Sequence, residues 1–130
     1  MSWHSIAICA AGIIAGLASV AHGILLHRRI ITPLSNHLRE ARVLPRTTVR
    51  LLSPILQVST LAWFVGGALL VVASAYPADP LRPFIVIAVG IFYLHAAAAN
   101  FIATQGRHFG WIPFAISVAL LTAATAGGAK

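Results

Sequence analysis

The sequence predicts an all-α, polytopic membrane protein with four transmembrane helices. Hydrophobic residues make up 59% of its 130 residues and charged residues only 8%, and the mean hydropathy is +0.91. A soluble domain of this size cannot bury so much apolar surface. The apolar residues form four continuous runs, and continuous runs indicate membrane-crossing helices because membrane strands alternate in polarity instead.

We place the transmembrane helices at about 6–27, 51–76, 84–104 and 109–126, within a single domain of residues 1–130. The first connection, residues 28–50, is predicted to be a basic cytoplasmic loop. Thr32 and Pro33 resemble an N-cap followed by proline at the first helical position. The loop is therefore expected to hold a short interfacial amphipathic helix, and the alternative is a solvated loop without fixed shape.

Charge predicts the orientation of these helices. Arginines cluster in the first connection, at positions Arg28, Arg29, Arg39, Arg42, Arg46 and Arg50, and Arg107 follows the third run. The opposite side carries only Arg82 and Lys130. By the positive-inside rule, both termini are outside a bacterial inner membrane and both basic loops are cytoplasmic. Anionic lipid headgroups, not nucleic acid, are then the expected partner of the net charge of +7.

Glycines mark candidate helix contacts in the first two runs. Gly12 and Gly16 lie four residues apart, and Gly66 and Gly67 are adjacent. Small residues on one side of a membrane helix let a neighbouring backbone approach closely. The pattern fits a dimer motif and packing inside one monomer equally well.

One polar residue on each helix is expected at a shared depth near the basic side: His22, Gln57, Asn100 and Ser117. Such a layer can be a small cavity for an ion, a proton or a headgroup, and Arg107 nearby would favour an anion. The structural alternative is a set of interhelical hydrogen bonds, each contributing ~0.6 kcal/mol on average.

Histidines are the candidate cofactor ligands. His95 lies near mid-membrane, on the opposite side of its helix from Tyr93 and Asn100. It could ligate haem iron or chlorophyll magnesium, relay a proton, or donate one hydrogen bond across a helix contact. His27 and His108 share the inner interface and form a second candidate pair. Polar groups on opposed faces of one helix predict protein on both sides, and thus an oligomer or a larger complex.

The sequence contains no pattern typical of an enzyme. Its acidic residues, Glu40 and Asp79, fall in predicted loops, and it has no phosphate-binding glycine loop and no helical zinc motif. We expect a non-catalytic accessory or assembly subunit, or a homo-oligomer, held by small-residue helix packing. The alternative is a small oligomeric channel or transporter with a constriction at His22, Gln57 and Asn100. A further alternative is a haem- or pigment-binding subunit that uses His95.

Overall fold

The computed structural model describes residues 2–42 and 44–126, and within these ranges the regular structure is entirely helical. The elements are α1 (Trp3–Leu26), a π-helical turn (His27–Ile31), α2 (Thr32–Glu40), α3 (Arg46–Ala75), α4 (Arg82–Thr104), a 3-10 turn (Phe109–Trp111) and α5 (Ile112–Ala126). Four helical segments are long and apolar enough to cross a membrane. The predicted all-α class with four membrane-length helices is thereby confirmed, and the fold is consistent with an integral membrane protein.

The first helical segment is longer than predicted, because α1 and α2 are continuous from Trp3 to Glu40 over 38 residues. Thr32 is not an N-cap: its backbone is right-handed helical, and its N–H donates to the His27 carbonyl across the π turn. Proline lacks an N–H, and its ring crowds the carbonyl four residues earlier. A wide turn before Pro33 accommodates both effects without ending the helix.

The predicted loop at 28–50 is therefore mostly helical. α2 ends at Glu40 and α3 begins at Arg46, so the two helices form the arms of a hairpin. The stretch from His27 to Glu40 extends roughly 20 Å at the helical rise of about 1.5 Å per residue. Ile31 and Val49 are each only 3% exposed, and α3 contacts both the π turn and α2. The predicted separate surface helix corresponds to α2, which continues directly from α1 through the π turn.

The four long helices form a bundle in which α1 packs against α3 and α5, and α4 closes the opposite side against the same two helices. Aromatic side chains fill its middle: the Trp63 and Phe114 ring centroids are 4.8 Å apart, and those of Tyr93 and Phe114 are 5.5 Å apart. Branched and aromatic residues on the outer surface, such as Leu17, are exposed. An apolar outer surface of this kind is expected for helices that face lipid.

Short turns join the remaining helices. At the end of α4, Gln105 adopts a left-handed conformation and the Gly106 N–H donates to the Phe101 carbonyl at 2.9 Å, which terminates the helix. At the other end of the bundle, the Arg82 guanidinium lies 3.3 Å from both the Pro77 carbonyl and the Ser5 hydroxyl. The second of these bonds ties α4 to α1.

Candidate functional site

Gln57 connects α3 to α1 near the basic end of the bundle. Its side-chain amide donates to the Gly23 carbonyl at 3.1 Å. A Cβ atom on Gly23 would lie 2.7 Å from the Thr60 methyl group, so the absence of a side chain allows this approach. The amide therefore acts as an interhelical tie.

His22 lies on the same part of α1 and packs against the aromatic core. Its ring is half-buried and meets Trp63 edge-on, with centroids 5.1 Å apart and planes inclined by 66°. Trp63 in turn contacts Phe114 of α5. The imidazole thus borders the core at the edge of the bundle.

Ser117 does not share the depth of His22. Its hydroxyl is fully buried, 3.0 Å from the Ala11 carbonyl and 2.8 Å from the Pro113 carbonyl. Ala11 precedes His22 by eleven residues, which corresponds to roughly 16 Å along the helix. The predicted layer of four polar residues is therefore not brought together.

Asn100 uses its amide group locally. The Nδ2 atom donates to the Ala96 carbonyl at 2.8 Å within α4. Its Oδ1 atom points toward the turn that contains Gly110, whose N–H donates to Nδ1 of His108 at 3.0 Å. Arg107 in the same turn is exposed. Among the residues that the structure describes, no hydrogen bond joins two of the four layer candidates.

His95 is exposed on the outer surface of α4. Tyr93, Ala96 and Ala97 on the opposite side of that helix are buried. The structure therefore places His95 and Tyr93 on opposite faces of α4, as predicted. The exposed neighbours of His95 on its side of α4 are Ala98 and Ala99 toward the end of the helix and the larger Ile91 and Phe92 toward its start.

The other histidine candidates lie at the basic end. His27 is exposed in the π turn and lines a shallow groove of about 430 Å³ with Arg28 and Gln57. His108 is exposed in the turn between α4 and α5 and accepts a bond from the Gly110 N–H. Within the described ranges no group of three or more metal-ligating side chains forms.

The glycine contacts are made inside the monomer. A Cβ atom on Gly12 would lie 2.6 Å from the Gly67 carbonyl oxygen, and one on Gly67 would lie 2.6 Å from the Gly12 oxygen. A Cβ atom on Gly66 would lie 3.1 Å from Val89 of α4. A Cβ atom on Gly16 would meet nothing within 4 Å, although its own backbone lies beside Gly67. These glycines therefore serve the α1–α3 and α3–α4 contacts.

A cavity of about 580 Å³ between the arms of the hairpin was not predicted. It is lined by Arg39, Arg42, Leu44, Pro45, Arg46, Val49 and Arg50. The four arginines were visible in the sequence as part of its basic segment. Their convergence was not, because it requires both arms to be helical and antiparallel.

No protein-family model, curated protein or solved structure matches this chain. Its function must be inferred from its own residues. Two features are informative for that purpose: the exposed imidazole of His95 and the arginine-lined cavity.

Proposed function

We propose that this protein is a small, non-catalytic membrane protein that acts as an accessory or assembly subunit and associates through the outer face of α4. The partner is a second copy or another membrane subunit. The observation that supports this proposal is the exposed position of His95, two residues from the midpoint of the 23-residue helix α4.

An imidazole at that position is costly in lipid. A polar group without a hydrogen-bond partner in hydrocarbon costs several kcal/mol, on the order of 2–7. Near mid-membrane the short histidine side chain has no aqueous region to reach, unlike the long side chains that snorkel to the interface. A partner helix that supplies a donor or acceptor removes this cost.

The surroundings of His95 suit a helix contact. Ala88, Ala98 and Ala99 are exposed on the same side of α4, beside the larger Phe92 and Ile102. The small side chains let a second backbone come close, and the large ones can pack against it. In a two-fold dimer the same patch meets itself, so His95 would face its own symmetry mate. The glycines of α1 are already used inside the monomer, which leaves this surface as the better candidate.

The proposed location is a bacterial inner membrane, with the arginine-rich end in the cytoplasm. Seven of the nine lysine and arginine residues belong to the segment from the π turn to the first turns of α3, or to the turn after α4. Translocation of basic segments across the membrane is disfavoured, which supports this orientation.

Association is tested by measuring energy transfer between labelled copies in lipid bilayers, and by isolation from the native membrane in mild detergent. His95→Leu removes the polar group at an exposed site and should leave the fold intact. We expect the dissociation constant to rise about tenfold, the equivalent of roughly 1.4 kcal/mol.

Leu94→Ala is the matched control, because Leu94 is exposed on α4 about 100° around the helix from His95. It should leave the dissociation constant unchanged. A native protein that stays monomeric both in bilayers and in extracts of its own membrane would contradict the proposal.

The exposed imidazole also favours a second function, a haem- or pigment-binding subunit. A neutral, exposed histidine can offer one ring nitrogen to the metal of a planar macrocycle. A Soret or chlorophyll-type absorption band in the native isolate that His95→Leu abolishes would identify this function. A colourless complex would favour the accessory subunit.

A further inference from the structure

The arms of the hairpin bring four arginines to one cavity. Arg39 lies in the last turn of α2, and Arg42 lies two residues after its end with a left-handed backbone. Arg46 and Arg50 lie four residues apart at the start of α3, a spacing that places both on one face of that helix. Contacts of α3 with α2 and with the π turn hold these segments together, and all four arginines line the cavity.

The positive charge of this cavity has little compensation. The chain has only two acidic residues. Asp79 lies in the turn at the opposite end of the bundle, where it accepts a bond from the Leu81 N–H. Glu40 is exposed beside the hairpin but does not line the cavity. Four like charges around one space repel one another, so binding of an anion there would relieve the repulsion.

The N-terminus of α3 adds to the positive potential of the cavity. Pro45 at the N-cap position provides no side-chain hydrogen bond, and the first turn contains no acidic residue. The free N–H groups of a helix start carry roughly half a positive charge. Because Pro45 and Arg46 both line the cavity, this partial charge acts together with the arginines.

We propose that the arginine pocket, defined by Arg39, Arg42, Arg46 and Arg50, binds a phosphate monoester group. Arginine forks match the paired oxygens of a phosphate, and a monoester offers up to two charges and three oxygens. The volume of about 580 Å³ leaves room for an organic group, and Leu44, Pro45 and Val49 provide an apolar wall for it.

Two kinds of molecule carry a phosphate monoester group: a lipid such as phosphatidic acid, in its headgroup, and a soluble phosphorylated molecule. Arg50 lies seven residues before Gln57 on α3, about 10 Å along the helix. The pocket thus begins near the end of the apolar part of α3, within reach of lipid headgroups and of water.

Binding is tested with the full chain in phosphatidylcholine nanodiscs. One experiment adds phosphatidic acid to the nanodiscs, with phosphatidylglycerol as the phosphodiester comparison. A second experiment titrates glycerol 3-phosphate. We expect the monoester to bind at least about tenfold more tightly than the diester, because it offers more charge to the arginine forks. Binding of phosphatidic acid alone identifies a lipid ligand, and binding of glycerol 3-phosphate identifies a soluble one.

The double variant Arg46→Gln/Arg50→Gln should weaken binding about tenfold or more. Arg39→Gln/Arg42→Gln, on the other arm, should do the same. Arg29→Gln/Arg107→Gln is the matched control, since it removes the same charge from exposed sites outside the pocket. Its effect should stay below about threefold.

Equal losses in the pocket and control variants would show unspecific surface attraction and overturn the proposal, as would no binding of either monoester. All substituted arginines are exposed, so the variants should fold, which circular dichroism and gel filtration verify. Pocket binding does not depend on association through α4. Failure of either proposal therefore leaves the other standing.

Discussion

At the scale of single residues, the closest approach between α1 and α3 depends on two glycines. The carbonyl oxygens of Gly12 and Gly67 each occupy the space that a Cβ atom on the other residue would need. Backbone atoms cannot move aside as a flexible side chain can. A methyl group at either position must therefore push the helices apart.

We expect Gly67→Ala to lower the free energy of unfolding by about 1–3 kcal/mol, the usual cost of overpacking a tight contact. Gly16→Ala is the matched control, because its Cβ atom would meet nothing within 4 Å. The control should have no destabilising effect, and unfolding titrations in mixed detergent micelles measure both. Equal destabilisation by the two substitutions would show that the backbone contact at Gly67 is not the cause.

The sequence identified these glycines as contact residues but could not assign their partner. Gly12 and Gly16 have the spacing of a dimer motif, and spacing alone does not say whether the facing helix belongs to the same chain. Ser117 was misplaced for a different reason. Trp63 contacts both His22 and Phe114, so the start of α5 already lies at the depth of His22. Ser117 follows Phe114 by about one turn and therefore lies deeper in the bundle, beside Ala11.

At the scale of helices, Tyr93 joins α4 to α3. Its ring is fully buried against Phe114, and its hydroxyl donates to the Trp63 carbonyl at 3.0 Å. That carbonyl lies inside α3, so its second lone pair remains available for the helical hydrogen bond. The side chain thus combines an interhelical hydrogen bond with a large packing contact.

The two contributions can be separated by substitution. Tyr93→Phe keeps the ring and should cost about 0.6–1.7 kcal/mol, the range for interhelical hydrogen bonds in membranes. Tyr93→Ala should cost about 3–5 kcal/mol, because it leaves a cavity beside Phe114 and Trp63. The unfolding free energies of both variants in mixed micelles provide the measurement. If Tyr93→Phe were as damaging as Tyr93→Ala, the hydroxyl and not the ring would hold α4 in place.

The helices themselves were predicted well, because a continuous apolar run has only one stable form in lipid. Their ends near the hairpin were not. Thr32 and Pro33 have the residue types of a helix start, and local propensity does not reveal that a π turn carries the helix through them. The contacts of the π turn and α2 with α3 join distant parts of the sequence, and they favour a helical extension over a loop.

At the scale of the whole molecule, charge is confined to the ends of the bundle. The π turn, the hairpin and the turn after α4 carry seven arginines, whereas Arg82 is the one arginine at the other end among the described residues. Each basic residue near an anionic membrane surface contributes about 1 kcal/mol. The excess of basic residues at one end is the basis of the proposed orientation, with that end in the cytoplasm.

Orientation can be measured with single cysteines in a background that lacks Cys9, the only native cysteine. Asn36→Cys places a thiol on α2 at the arginine-rich end, and Ala78→Cys places one in the turn between α3 and α4; both sites are exposed. A thiol reagent that cannot cross membranes should label residue 78 in intact cells. It should label residue 36 only after permeabilisation, because the proposed orientation places the arginine-rich end in the cytoplasm. The reverse pattern would contradict the orientation. Equal labelling of both sites in intact cells would mean that the chain inserts both ways, so seven arginines against two basic residues would not be enough to fix its direction.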